Sequence, residues 1–263
     1  VNDVIALLKD RSLNAYSTTD AARFRDHMID RGLVSSTVKR VFAIIRAIIN
    51  LSIQEHGLSC KNAFAKTYIP DLEDTFKRQP IPVNIIRKVQ EECVIINDPN
   101  RWLIALISDT GMRLSEALGL KVDDLKLYED VPYVNIIPNS SRQLKTKSSE
   151  RKIPLVGLSL WAAQQISANR NDAFAFPHYT NKDYCSSNSA SAALNKWLKS
   201  RVPERCVIHS FRHSMRDRLR EVNCPTEMID QIGGWSDNKV GSSYGNGYSL
   251  SKTIKVLNKI VKY

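Results

Sequence analysis

Apolar residues recur along this chain mostly at the three-to-four spacing of helices. Ser17, Thr18 and Thr19 precede a run in which Phe24, Met28 and Ile29 share one side and Gly32 acts as a stop, which predicts a short amphipathic helix. A second helix, opened by Ser35 or Ser36, places Val38, Val41, Ile44, Ile45, Ile48, Ile49 and Ile53 on one stripe and ends near Gly57. With a partial helix in Val1 to Lys9 and another around Asn62 to Tyr68, the first part of the chain reads as a small bundle of about four helices. From Pro70 to Pro82 the apolar period stops and three prolines and several charges follow, as in a linker.

Beyond the linker the helical period returns over Val83 to Ile96, Trp102 to Ser108, Leu158 to Ala168, Ser189 to Ser200, Ile208 to Glu221 and Glu227 to Ile232. A tail, Leu250 to Val261, carries Ile254, Val256, Leu257, Ile260 and Val261 on one face. Only Tyr133 to Ile137 and Arg151 to Leu155 read as strands, and the polar run between them, with Lys145 and Lys147, makes a basic hairpin. The predicted fold class is mainly α with a small β-sheet: a helical domain over residues 1–75 and a mixed α/β, mostly helical domain over 76–263.

Composition narrows the partner. Lys and Arg number 38 against 27 Asp and Glu, a net charge of +11, and both parts of the chain are basic: residues 1–80 hold 12 basic and 9 acidic side chains, residues 81–263 hold 26 and 18. A polyanion suits such a surface, although an ordinary solvated basic surface would look the same. The face of the second helix that bears Lys39, Arg40 and Arg46 can meet phosphates or simply face water. The five cysteines are scattered without the spacing of a zinc site, which fits reduced thiols. No apolar run reaches eighteen residues and no basic-then-apolar leader opens the chain, so the sequence predicts a cytoplasmic protein with no membrane partner.

The chemistry concentrates between His209 and Tyr244. His209-Ser-Phe-Arg212-His213 places an imidazole and a guanidinium three residues apart at a helix start; Gly233-Gly234-Trp235 follows, then Tyr244 nine residues later. Guanidinium and indole N–H groups can hold a phosphodiester, an imidazole can take a proton, and a phenol can attack covalently. His209 and His213 lack the HExxH form and a third ligand, so no metal is predicted. Upstream, Gly111 permits a sharp turn that leaves Arg113 at a helix start with Glu116 three residues on, a carboxylate able to fix that guanidinium. Tyr248, one helical turn past Tyr244, and the remote Tyr263 are the rival phenols.

Thr110-Gly-Met-Arg-Leu-Ser-Glu-Ala-Leu, the Lys-Thr hairpin running to Arg151-Lys-Ile-Pro-Leu, His209-Ser-Phe-Arg-His, Gly234-Trp235 and Tyr244 together resemble the tyrosine recombinase, or phage integrase, family over residues 80–250. The resemblance of residues 1–75 to the family's helical core-site DNA-binding module is less specific. It implies a site-specific recombinase that integrates or excises a mobile element through a 3′-phosphotyrosyl intermediate, with no cofactor. In that reading Tyr244 is the nucleophile, Arg113 and Arg212 clamp the scissile phosphate, His209 assists proton transfer, Lys145 protonates the leaving oxygen and Glu116 supports Arg113. Trp235 stands where the family mostly has histidine, which keeps a hydrogen-bond donor and removes acid–base chemistry. Lys147 is the alternative lysine and otherwise a DNA contact, like Lys39, Arg40 and Arg46. The implied partners are double-stranded DNA, further copies of the chain in a tetrameric synapse, to which the tail helix can dock, and host DNA-bending proteins on a bacterial or phage nucleoid. A type IB topoisomerase and a non-catalytic DNA-binding regulator are the competing functions.

Overall fold

The computed structural model describes residues 2–72, 78–144, 146–235 and 247–262, excepting the Lys147 side chain, and the chain divides into two compact units, residues 1–77 and 78–263. Lys145, Tyr244 and the rival phenol Tyr263 lie outside the described residues.

In the first unit, helices α1 (Asn2–Leu8), α2 (Thr18–Asp30) and α3 (Ser35–Glu55) surround a core of Phe24, Phe42 and Phe64, whose successive ring centroids lie 5.8 and 5.9 Å apart. Ser17 starts α2 with a reciprocal cap: its hydroxyl accepts from the Asp20 N–H at 3.1 Å, and the Asp20 carboxylate accepts from the Ser17 N–H at 2.9 Å. The buried row of α3 is Val38, Phe42 and Ile45, while Ile44 and Ile48, placed on the same stripe by periodicity, are exposed with Leu51. Several isoleucines in succession blur the phase of a helix; the bulkier Phe42 sets it.

A helix is expected around Asn62 to Tyr68, and the structure has a turn instead. Asn62 Oδ1 accepts from the Phe64 N–H at 2.9 Å, an Asx turn, and Arg46 donates at 2.8 Å to the carbonyls of Phe64 and Thr67, which a continuing helix would use internally. Arg46 is therefore a brace between α3 and this segment, with two of its donors committed within the first unit. Arg40 is exposed, and Lys39 is exposed with a 3.0 Å ion pair to Asp71 that solvent makes weak.

The second unit is built on α5 (Pro99–Thr110), buried along its whole second half and packed against α4 (Val83–Ile96), α7 (Gly157–Ala168) and α9 (Ser210–Glu221). Asp98 caps its start with Pro99 in the first turn, and Gly111 ends it at φ +63°. A Cβ on Gly111 would lie 2.8 Å from Met215, so both the turn and the packing require glycine. The short α6 (Leu114–Leu118) follows, then an antiparallel meander of β1 (Leu125–Lys126), β2 (Tyr133–Ile136) and β3 (Arg151–Pro154) with Ile136 opposite Arg151. β1, two residues long, carries too little pattern to be read from sequence. Helices α8 (Ser187–Leu198) and α10 (Thr226–Gly233) complete the body. The protein is thus mainly α with a small sheet, as its periodicity predicts.

The tail helix α11 (Leu250–Lys262) packs on its own unit, against β3 and α9, with Thr253, Leu257 and Ile260 buried. Its C-terminal carbonyls are also held: Arg87 donates to Val261 O at 2.5 Å and Arg218 to Ile260 O at 3.2 Å, cations at the negative end of the helix. Of the two places the sequence leaves open for this helix, a neighbouring copy or its own domain, α11 occupies its own domain in the single chain. Leu257→Ala is expected to lower the urea midpoint of unfolding, with a loss of about 2–5 kcal/mol.

Candidate active site

Four segments meet at one face of the second unit: the turn after α5, the residues before β3, the start of α9 and the exit of α10. Arg113 is the N-cap of α6. Its backbone N–H donates to Glu116 Oε2 at 2.9 Å, and its guanidinium donates to Glu116 Oε1, to Ser149 Oγ at 3.0 Å and to the Gly234 carbonyl at 3.2 Å. Glu116, 3% exposed, also accepts from Arg151 Nη2 at 3.0 Å. Burial alone would raise the Glu116 pKa, but the charge and hydrogen bond of Arg151 and the two bonds from Arg113 hold it below the usual carboxylate value. The carboxylate is charged at neutral pH and clamps two guanidinia.

Arg212, in the first turn of α9, is 3% exposed and has no carboxylate in contact among the described residues. Nη1 donates to the Gly111 carbonyl at 2.7 Å, Nη2 has no acceptor among the described residues, and Cζ lies 4.4 Å from the Trp235 ring centroid. Burial, then repulsion from Arg113, lowers its pKa to about 9. A guanidinium held this far from water with so few acceptors is poised for an anion.

Trp235 meets two guanidinia, those of Arg212 and of Arg216, whose Cζ is 4.9 Å from the ring centroid. Gly233 makes room: a Cβ there would lie 1.9 Å from the indole. His209 precedes α9, half-buried, with its ring 5.4 Å from that of His213. Burial, then the charges of His213, Arg78, Arg212 and Arg113, lowers its pKa to about 4, so it is neutral at neutral pH and takes a proton only when a negative charge beside it offsets those cations. Arg78, His209, Arg212, His213, Arg216 and Trp235 line a cleft of about 230 Å³.

The structure therefore gathers Arg113, Glu116, His209, Arg212 and Trp235 at one place. Lys145 and Tyr244 lie outside the described residues, yet their neighbours are placed. The Thr146 hydroxyl, between the two candidate lysines, shares a 3.0 Å hydrogen bond with Ser149 Oγ, which in turn meets Arg113. Gln231 of α10 holds Tyr248 through both peptide groups, accepting from its N–H at 2.7 Å and donating to its carbonyl at 2.9 Å. Sequence reasoning missed Ser149, Arg216 and the part played by Arg151. The signal for Arg151 was its inward register on β3, where a strand beside an apolar core rarely carries a charge. Among the described residues no group of three His, Cys, Asp or Glu side chains could hold a metal, and no helix is long and apolar enough to cross a membrane.

The site is thus a basic cleft on a mainly helical frame with a three-stranded meander. The sequence model of the phage integrase family matches residues 84–248. The chain belongs to that family, the tyrosine recombinases. It is similar to tyrosine recombinase XerC of Psychromonas ingrahamii (21% identical over 245 residues, 89% of this chain and 79% of the relative) and to the transposase of transposon Tn916 of Enterococcus faecalis (25% over 270 residues, 89% and 64%). It thus spans less than two thirds of that transposase. Among solved structures, the Tn1549 transposon integrase in complex with a circular intermediate DNA has the same fold (TM-score 0.67, 20% identity, 97% of this chain and 86% of that one). So does a lambda integrase tetramer bound to a Holliday junction (TM-score 0.67, 17% identity, 92% and 68%).

Proposed function

We propose that this chain is a site-specific DNA recombinase of a mobile element, cutting and rejoining double-stranded DNA through a 3′-phosphotyrosyl intermediate. The observation that carries the reading is the charge of the cluster: buried Arg151 and Arg212 and part-buried Arg113, with Glu116 the one carboxylate they contact among the described residues, leave an excess of two positive charges, and Arg212 Nη2 has no acceptor among those residues. A phosphodiester attacked by a phenolate passes through a pentacoordinate state carrying two negative charges, so the cluster matches that state better than the singly charged ground state.

In this mechanism the Tyr244 oxygen forms a bond to phosphorus, its proton passing to neutral His209. Arg113, Arg212 and the Trp235 N–H hold the non-bridging oxygens. The P–O5′ bond breaks, and the leaving oxygen takes a proton from Lys145, with Lys147 as its rival. Attack by a 5′-hydroxyl of another strand reverses the step and completes exchange without an added energy source. The lambda integrase tetramer bound to a Holliday junction and the Tn1549 integrase in complex with a circular intermediate DNA support a tetrameric synapse of this chain on DNA. Host DNA-bending proteins and action on a bacterial or phage nucleoid complete the proposal.

A duplex nicked near the cleavage point tests it, because loss of the short flanking strand traps the covalent intermediate. Wild-type protein is expected to yield a protein–DNA adduct that survives EDTA, and Tyr244→Phe none. An adduct in the Tyr244→Phe protein would reassign the nucleophile, with Tyr248 next in line. A wild-type protein that binds the duplex and forms no adduct would make it a DNA-binding regulator, and relaxation of supercoils without joining of two sites would make it a topoisomerase.

A further inference from the structure

We infer that Arg151 is a positioning residue for strand cleavage: a buried guanidinium that ties together the three segments delivering Arg113, Trp235 and the lysine-bearing loop. Its Nη2 donates to Glu116 on α6 at 3.0 Å, its Nε to the Ile232 carbonyl on α10 at 2.8 Å, and its Nη1 to the Ser149 carbonyl at 2.7 Å. Each partner is one step from the anion site. Glu116 orients Arg113; Ile232 leads through Gly234, whose carbonyl accepts from Arg113, to Trp235; and Ser149, two residues past Lys147, bonds Arg113 through its hydroxyl.

The arrangement needs an arginine. Three donors leave one planar group in three directions, whereas a lysine ammonium placed near Glu116 cannot also span the two carbonyls. Room has been made for the fork: a Cβ on Gly234, itself at φ +61°, would lie 2.7 Å from Arg151 Nη1. At 8% exposure, with its donors turned inward to protein oxygens, Arg151 acts on DNA only through the groups it holds. Arg142 secures the other side of residue 116, donating to its carbonyl at 2.9 Å and to the carbonyl of Ile137. Residues 142 and 151 thereby pin both ends of the lysine-bearing loop to the helix that starts at Arg113.

A residue that merely stabilises the fold would lower the melting temperature and slow cleavage independently of Arg113. One that acts through Arg113 gives losses that do not multiply. The experiment measures single-turnover adduct formation on the nicked duplex and the Kd for intact duplex. It compares wild type, Arg151→Met, Arg113→Ala and the double variant, each shown folded by circular dichroism at the assay temperature. Arg151→Met is expected to keep its Kd within about threefold and to slow adduct formation about tenfold or more, yet to cost less than about threefold in the Arg113→Ala background. Arg151→Lys, which keeps the charge beside Glu116, provides the same comparison if Met does not fold. An unchanged rate in a folded variant, the same fold-loss in both backgrounds, or failure of both variants to fold would each overturn the inference, the last assigning Arg151 to stability alone. The inference rests on the covalent chemistry proposed above: no adduct from wild type sinks that chemistry, whereas an adduct indifferent to Arg151 sinks only this proposal.

Discussion

Arg212→Met slows adduct formation on the order of a hundredfold to a thousandfold while leaving the protein as stable as wild type or more so. The two effects have one cause. Among the described residues Arg212 has one carbonyl acceptor and a donor without a partner, and its burial, then repulsion from Arg113, lowers its pKa to about 9. Before DNA arrives the protein bears the cost of keeping that charge out of water; methionine fills much of the same volume without it. The stacking of Arg212 on Trp235 offsets part of the cost, so the gain in melting temperature is modest. Once the phosphate is in place, the same desolvation strengthens every bond Arg212 makes to the developing charge. Calorimetric melting in the absence of DNA, paired with the nicked-duplex assay, measures both. A variant that melts well below wild type would show that Arg212 is held for the fold and would remove the main support for an anion site.

Much of this architecture was legible because the helices carry strong local signals. α4 runs from Val83 to Ile96 as its spacing predicts, and the turn at Gly111 leaves Arg113 as a helix N-cap with Glu116 at its third position. What escaped was set by tertiary contacts. Arg46 reads as one more cation on a polar helix face, and only the fold shows that two carbonyls of a distant turn occupy it. α11 presents an apolar face that fits a neighbour or its own body equally well; in the single chain Arg87 and Arg218, remote in sequence, hold it to the body by closing on its last carbonyls. Arg151 could be recognised as part of a motif, but its task depends on Ile232 and Glu116, 81 and 35 residues away. Chemistry-bearing residue types can be read in order along the chain, whereas the residues that hold them need the third dimension.

Glu116→Gln tests the other half of the balance and is expected to destabilise the second unit by about 3–5 kcal/mol, because it leaves Arg113 and Arg151 without the carboxylate that both contact. The amide keeps the shape and one acceptor oxygen, so a loss of that size reports charge. Adduct formation should fall as well, even at temperatures where the variant remains folded, because Arg113 loses its orienting partner. The pH dependence separates this group from His209. The folded-state pKa of Glu116 lies below its ordinary value of 4.5, so its contribution is present above that pH and fades as pH falls below it. His209, lowered from 6.5 to about 4, acts earlier: the unfolded chain takes up a proton there that the folded site refuses, so stability declines as pH falls from 6.5 toward 4. Urea unfolding of wild type between pH 7 and pH 3 should therefore show two successive losses. Glu116→Gln should flatten the more acidic one and leave the first intact; His209→Gln should do the reverse. If Glu116→Gln instead left the acid limb and the midpoint at pH 7 unchanged, the carboxylate would not be the counter-ion of the cluster, and the excess of two positive charges on which the phosphate site rests would have to be recounted.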